Sequence, residues 1–309
     1  MKAVLSGMSV LAAAAFACAL AAASASPCAA QPKRGEGLET KVRALVAESG
    51  AETVAVAFQD LETGRELLVN PGASFHAAST MKVPVMLELY REARDGELSL
   101  DARLPVRNEF KSIADGSTFS VSPGDDSEAT LYAKVGGTET VRELLRLMIT
   151  ESSNLATNIL VERATPGRVT RLMREMGARD IKVLRGVEDG KAFERGMNNT
   201  TTARDLLVLL RAMAEGRAVS PAASREMAEV LAAQKFNEGI PAGLPRGVRV
   251  AHKTGSITKI EHDAAVVYPP GRRPYVLVVL VRGIKDPPRA RRLIADISRA
   301  VYESLGPPR

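Results

Sequence analysis

A chain of 309 residues, 45% hydrophobic and 25% charged, is long and apolar enough to bury a sizeable core, which excludes a disordered protein. Its net charge of +6 is spread along helix-like stretches among Glu and Asp, with only short runs such as "RARR" at 289–292. No zinc-finger, RNP or basic-zipper pattern accompanies that charge, so nucleic acid is excluded as a partner.

The first stretch, MKAVLSGMSVLAAAAFACALAAASASPCAAQPKR, carries a lysine near its start, then an apolar run, then small residues, which is how a secretory signal is built. We assign residues 1–30 to a signal peptide, with cleavage after Ala25 or Ala30. Ser6, Gly7 and Ser9 interrupt the apolar run, which argues against a retained membrane anchor, so no stable membrane span is expected once the leader is removed. Cys18 and Cys28, the two cysteines, lie in or beside this leader. The folded domain therefore gains no disulfide, although an exported protein could form one.

"GLETKVRALVAESG" places Leu38, Val42, Leu45 and Val46 near helical spacing, with Gly50 as the stop. "TVAVAFQDLETGRELLVN" reads as a hairpin in which Val54, Val56 and Phe58 alternate and Glu62, Thr63 and Gly64 make the bend. Residues 108–137 are rich in Gly, Ser and Asp without a sustained period, and read as a long surface excursion. From about Thr138 to Gln234 the period is helical, as Val141, Leu144, Leu145 and Met148 illustrate. "GVRVAHKTGSI" and "DAAVVYPPGRRPYVLVVLVRG" supply three more strands, and "ARRLIADISRAVYESL" a closing helix. Strand-rich ends around a helical middle predict a catalytic domain over 36–309: an α/β lobe from about 36–98 and 247–309, with an inserted all-α lobe from about 99–246. The cleft between them is the expected site.

Within "AASTMKVP", Ser79 and Lys82 stand one helical turn apart, so the amine can reach the hydroxyl. A serine becomes a good nucleophile when a nearby base takes its proton, and a lysine serves where burial or another cation favours its neutral form. The competing reading is a helix cap followed by a solvated lysine, and Ser-x-x-Lys alone is too common to decide. Two further motifs change the balance: Ser152, Ser153 and Asn154 at the junction of two helices, and Lys253, Thr254 and Gly255 at the end of a strand. Their bland alternatives are a helix cap at Ser152 and an exposed strand lysine at Lys253. There is no Gly-x-Ser-x-Gly elbow, and His76, His252 and His262 form no metal-binding motif; packing roles are expected for the first two.

Ser-x-x-Lys, then Ser-Asp-Asn, then Lys-Thr-Gly is the signature of the penicillin-recognising serine enzymes, and from about residue 36 onward the chain resembles a class A β-lactamase. That resemblance implies an antiparallel sheet flanked by helices with an all-α insertion. It makes Ser79 the acylated nucleophile, Lys82 its proton acceptor and Ser152 the relay to the β-lactam nitrogen. It gives Asn154 the substrate amide, Lys253 and Thr254 the substrate carboxylate, and the backbone N–H groups of Ser79 and Ser256 the oxyanion. Gly255 suits a strand that substrate approaches closely, and a fixed cation at Lys253 would disfavour charge on Lys82.

Two departures stand out. Ser153 replaces the aspartate of the middle motif, which weakens local hydrogen bonding more than chemistry. The deacylating Glu of the family lies in Arg-x-Glu-x-x-Leu-Asn on an omega loop, whereas here the comparable stretch is "VLRGVEDGKAFERGMNNTTTARDL". Glu188 is the candidate base, one residue further from Arg185 than the family spacing, with Asp189 and Glu194 behind it. Asn199 stands where the family has an aspartate paired with the loop's arginine, so that ion pair is expected to be missing. The expectation is an exported β-lactam hydrolase, periplasmic or extracellular and monomeric, acting on a small-molecule substrate without cofactor or metal. The alternatives are a D-Ala-D-Ala peptidase acting on cell-wall peptide, or a β-lactam sensor that acylates once.

Overall fold

The computed structural model describes residues 37–305; the leader and both cysteines lie outside the described residues. The chain opens with α1 (Leu38–Glu48), β1 (Thr53–Asp60), β2 (Glu66–Val69), the short β3 (Phe75–His76), a tight 3-10 turn (Ala78–Met81) and α2 (Lys82–Arg94). Short strands follow: β4 (Arg103–Pro105), β5 (Phe110–Lys111), β6 (Thr118–Phe119) and β7 (Thr138–Thr140). Then come α3 (Val141–Thr150), α4 (Asn154–Ala164), α5 (Pro166–Glu175), α6 (Gly190–Glu194), β8 (Thr200–Thr201), α7 (Ala203–Ala214) and α8 (Pro221–Ala232). The chain closes with β9 (Arg249–Ile257), β10 (Ile260–Tyr268), β11 (Tyr275–Arg282) and α9 (Pro287–Glu303).

The main sheet has the order β2-β1-β11-β10-β9, antiparallel throughout, so strands from the two ends of the described chain meet at β1 and β11. Alternation sorts its side chains to two faces. Val54, Val56 and Phe58, with Leu277, Val279 and Val281, pack on one face in the same cluster as residues of α1 and α9, such as Val42 and Ile297. Ala55, Ala57, Val276, Val278 and Leu280 face the other way and share a cluster with residues of α2 to α5, α7 and α8. Each such fully buried branched side chain contributes about 1.5–3 kcal/mol relative to exposure. The short α1 helix buries Leu38 and Val42, and Leu45 and Val46 pack partly buried against the same cluster.

The helical middle forms as its period requires: Val141, Leu144, Leu145 and Met148 of α3 are all buried. Side-chain oxygens satisfy the first free N–H groups of several helices. Thr140 accepts from Glu143 N at α3, Ser220 from Ala223 N at α8, and Thr202 from Asp205 N at α7. Although it belongs to the first segment, α2 packs on α4 and α5, so the Ser79 turn is the point where the chain passes from sheet to helices. Strand β9 is an edge of the sheet and lies against that turn. Among the described residues no helix is long and apolar enough to cross a membrane.

The 108–137 excursion has more order than its composition suggests. It holds the miniature β5–β6 hairpin, with Phe110 against Phe119 at 5.8 Å between ring centres, and a 3-10 turn at Thr130–Lys134.

Candidate active site

Ser79 sits in the 3-10 turn directly before α2, and no side-chain cap bond is made at either start. Ala78 before it is held at φ +44°, a conformation that costs a non-glycine residue energy unless its surroundings impose it. Gly255 of β9 packs against this turn. A Cβ there would lie 3.2 Å from Ser79 N, from Ala78 Cβ and from Thr80 Cγ2, so glycine is what lets strand and turn approach.

Lys82 is fully buried, which removes the cap-and-solvated-lysine reading. Its Nζ donates to Ser152 O (2.6 Å), Ser152 Oγ (3.1 Å) and Asn154 Oδ1 (3.1 Å). Lys253 is fully buried too, and its Nζ donates to the same Ser152 Oγ at 3.1 Å and to Thr254 O at 3.1 Å. One hydroxyl thus bridges two amines that are far apart along the chain. Among the described residues no hydrogen bond joins Lys82 Nζ to Ser79 Oγ; the amine's bonds go to Ser152 and Asn154.

Burial drives the electrostatics. Desolvation pushes Lys82 down to about 7, opposed by the negative charges of Asp126 and Glu188. Lys253 falls well below its ordinary range through burial and then through the charge of Lys82, with Asp263 opposing. The sequence reading makes Lys253 the standing cation of the pair. In the structure burial lowers both amines, Lys253 included, so a stable cation there calls for an anion beside it.

Ser152 adopts φ +59° and the cap of α4 is its neighbour: Ser153 Oγ accepts from Ala156 N. Ser152 is thereby released to face the two amines. A carboxylate is present at this helix start after all, supplied by Asp126 from the long excursion. Asp126 accepts from the backbone N–H of Asn154 (2.9 Å) and of Leu155 (2.9 Å) and from Tyr132 Oη (2.9 Å). Sequence reading missed this residue; its one signal is a lone acidic pair, Asp125 and Asp126, in a segment without period.

Glu188 borders the same cleft, a space of about 330 Å³ that also touches Ser79, Asn154 and Ser256. It is exposed, held at φ +61°, and its Oε1 accepts from Asn154 Nδ2 at 3.3 Å. Asp189 is buried and caps α6 through Ala192 N, and Glu194 is exposed at the end of that helix. Arg185 has no carboxylate within 4.0 Å among the described residues. Its guanidinium donates to Met197 O, Gly186 O and Asn198 Oδ1, while Asn199 binds the backbone of Leu184 and Arg185. Neutral groups therefore hold the stretch where an ion pair was expected to be missing.

Thr254 follows Lys253 on β9, in register with Asp263 of β10, and Ser256 Oγ donates to Glu261 Oε1 at 2.7 Å. His252 is buried between Asp263 (2.9 Å) and Asn237 (3.2 Å). His76 borders the cleft, edge-on to Phe193, and its Nδ1 accepts from Ala78 N. Phe193 and Ile257 give the cleft exposed apolar walls that the motifs did not reveal.

Comparison with known proteins identifies the family. The family model described as "Beta-lactamase enzyme family" matches residues 37–305. A β-lactamase of Streptomyces albus G is 30% identical over 275 residues, covering 87% of this chain and 84% of the relative. An ancestral class A β-lactamase structure superposes with a TM-score of 0.75 at 28% identity, covering 87% of this chain and all of that one. The structure of PBP-A gives 0.74 at 28% identity, with 87% and 95% covered. The chain belongs to the β-lactamase enzyme family, as a class A-like member.

Proposed function

We propose that the protein is an exported hydrolase that opens β-lactams through an acyl-enzyme at Ser79. The observation that supports this most is the double bridge at Ser152 Oγ, which gathers residues of all three motifs at one point. Ser79 Oγ attacks the lactam carbonyl as a neutral Lys82, turned from its present acceptors, takes the hydroxyl proton. The C–N bond breaks and Ser152 passes a proton to the departing nitrogen, refilled from the amine pair. Backbone N–H groups of Ser79 and Ser256 stabilise the oxyanion, an effect worth about 2.7–4 kcal/mol per donor in such sites.

An anionic substrate supplies what the amine pair lacks. A carboxylate placed near Lys253 and Thr254 favours the proton on Lys253 and, through the shared hydroxyl, leaves Lys82 neutral as the base. Asn154 holds the substrate amide, and Glu188 activates the water that releases the acyl group. Export follows from the leader-like composition of residues 1–30, and the protein acts as a monomer.

Intact-mass spectrometry after mixing with a penicillin tests this reading. A transient adduct that Ser79→Ala abolishes is expected, together with nitrocefin turnover. D-Ala release without nitrocefin turnover would favour a cell-wall peptidase, and a persistent stoichiometric adduct would favour a sensor.

A further inference from the structure

We propose that the β5–β6 hairpin positions Glu188 for the deacylating step, acting through Asp189. This rests on the reading of Glu188 as the deacylating base. Glu188 stands at φ +61°, a backbone state that an L residue keeps only where neighbours impose it. Arg185 and Asn199 hold the loop through neutral hydrogen bonds and no ion pair among the described residues, and further contacts constrain Glu188 directly.

Two pegs flank the residue. On one side Val187 N donates to Asn158 Oδ1 (2.6 Å) and Asn158 Nδ2 donates to Val187 O (3.0 Å), fixing the loop to α4. On the other side stands Asp189, 3% exposed. Its Oδ1 accepts from Ser112 Oγ (2.7 Å) and Ala192 N (3.1 Å), and its Oδ2 from Ile113 N (3.0 Å). The hairpin tip is fastened further along α6: Lys191 Nζ donates to Asp115 (2.9 Å) and Ser117 (2.8 Å), and Arg195 to Ala114 O (2.6 Å). Strands β5 and β6 pair only with each other. Residues 112–117 therefore meet residues 189–195 through a set of polar contacts centred on one buried carboxylate. Loosening that carboxylate frees the residue beside it without removing a hydrogen bond of Lys82 or Ser152, whose partners lie elsewhere. Asp189 and Ser112 are positioning residues for the water step and not for acylation.

The test measures acylation and deacylation separately in the full chain, from the nitrocefin burst and from the decay of the penicillin adduct by intact mass. Ser112→Ala and Asp189→Asn are expected to acylate at the parental rate and to deacylate about tenfold more slowly, as small misplacements of a reacting group do. Ser112→Thr keeps the hydroxyl and should restore deacylation. In a Glu188→Gln background, Ser112→Ala should add nothing. A thermal melt of each variant shows whether the fold is kept, and Ser112→Ala, the milder change, decides the case if Asp189→Asn unfolds. Equal losses in both steps, or the same deacylation loss from Ser112→Ala with and without Glu188, would overturn the hairpin's role. Slow deacylation in Glu188→Gln with none in Ser112→Ala and Asp189→Asn would overturn it alone. Parental deacylation in Glu188→Gln would remove the base assignment, and this inference with it.

Discussion

Asp126→Asn probes the carboxylate that the sequence places far from the motif it serves. Its oxygens receive the backbone N–H groups of Asn154 and Leu155 and the Tyr132 hydroxyl, each at 2.9 Å. An amide has one acceptor oxygen and turns an NH2 group toward donors on the other side, so it keeps only part of this set. Bonds to a charged group contribute about 1.5–3 kcal/mol each, and a carboxylate at a helix N-terminus adds about 0.3–1 kcal/mol. Losing the charge and one of the bonds should cost about 2–4 kcal/mol, or roughly 5–15 °C in melting temperature for a domain of this size. The second readout concerns Lys82, whose proton Asp126 helps to hold. Acylation through neutral Lys82 rises with pH as that amine loses its proton near 7, so removing the nearby negative charge moves the acid limb to lower pH, even if the plateau falls. Melting by circular dichroism and acylation rates from about pH 5 to 9 measure both. A melting temperature within about 2 °C of the parent, or an acid limb displaced upward, would refute the reasoning.

Three further outcomes follow from packing. Gly255→Ala puts a Cβ at 3.2 Å from Ser79 N, and the displaced turn should lower acylation by about 10–100-fold with little change in melting, read by stopped-flow acylation and a thermal scan. Gly243→Ala meets Ala295 O at 2.1 Å and Arg299 N at 2.9 Å, backbone atoms of α9 that cannot rotate away, so soluble yield and urea midpoint should fall by the equivalent of more than about 3 kcal/mol. Arg272→Ala leaves the buried Asp60 without its partner at 2.7 Å, a loss of about 3–5 kcal/mol at neutral pH. Burial raises the Asp60 pKa, but hydrogen bonds from Thr63, Glu62 and Arg272 together hold it below its ordinary value. Its contribution is therefore present above about pH 4 and lost as pH falls through the depressed value, so the gap between parent and variant in urea should narrow in acid.

What could be read from the chain divides along physical lines. Val54, Val56 and Phe58 alternate because one face of their strand joins the core cluster that holds α1 and α9, and periodicity carries that directly. Lys-Thr-Gly and Ser-x-x-Lys were legible because their chemistry needs fixed local spacing. Asp126 was not, since its partners lie 28 and 29 residues further on and nothing local announces the pairing. Nor could composition decide between Ser152 and Ser153: both can cap a helix, and the positive φ of Ser152 settles which one does not. From sequence Asp189 is a lesser candidate base behind Glu188, yet it is a buried cap and tether, a role fixed by a hairpin whose strands are two residues long.

The strand β11 carries an obligation of its own. Seated between β1 and β10 and covered on both faces, Tyr275–Val281 is wholly buried, and that safety is lost whenever the chain is unfolded. The run Val276–Val281 has six branched residues with no charge and no proline, the composition that zips chains together into aggregates. Arg272, Arg273 and Pro274 stand before it and Arg282 after it, guards whose value lies in the unfolded chain as much as in the finished enzyme. Refolding at high concentration should therefore be limited by this strand, while the catalytic motifs play no part in that hazard.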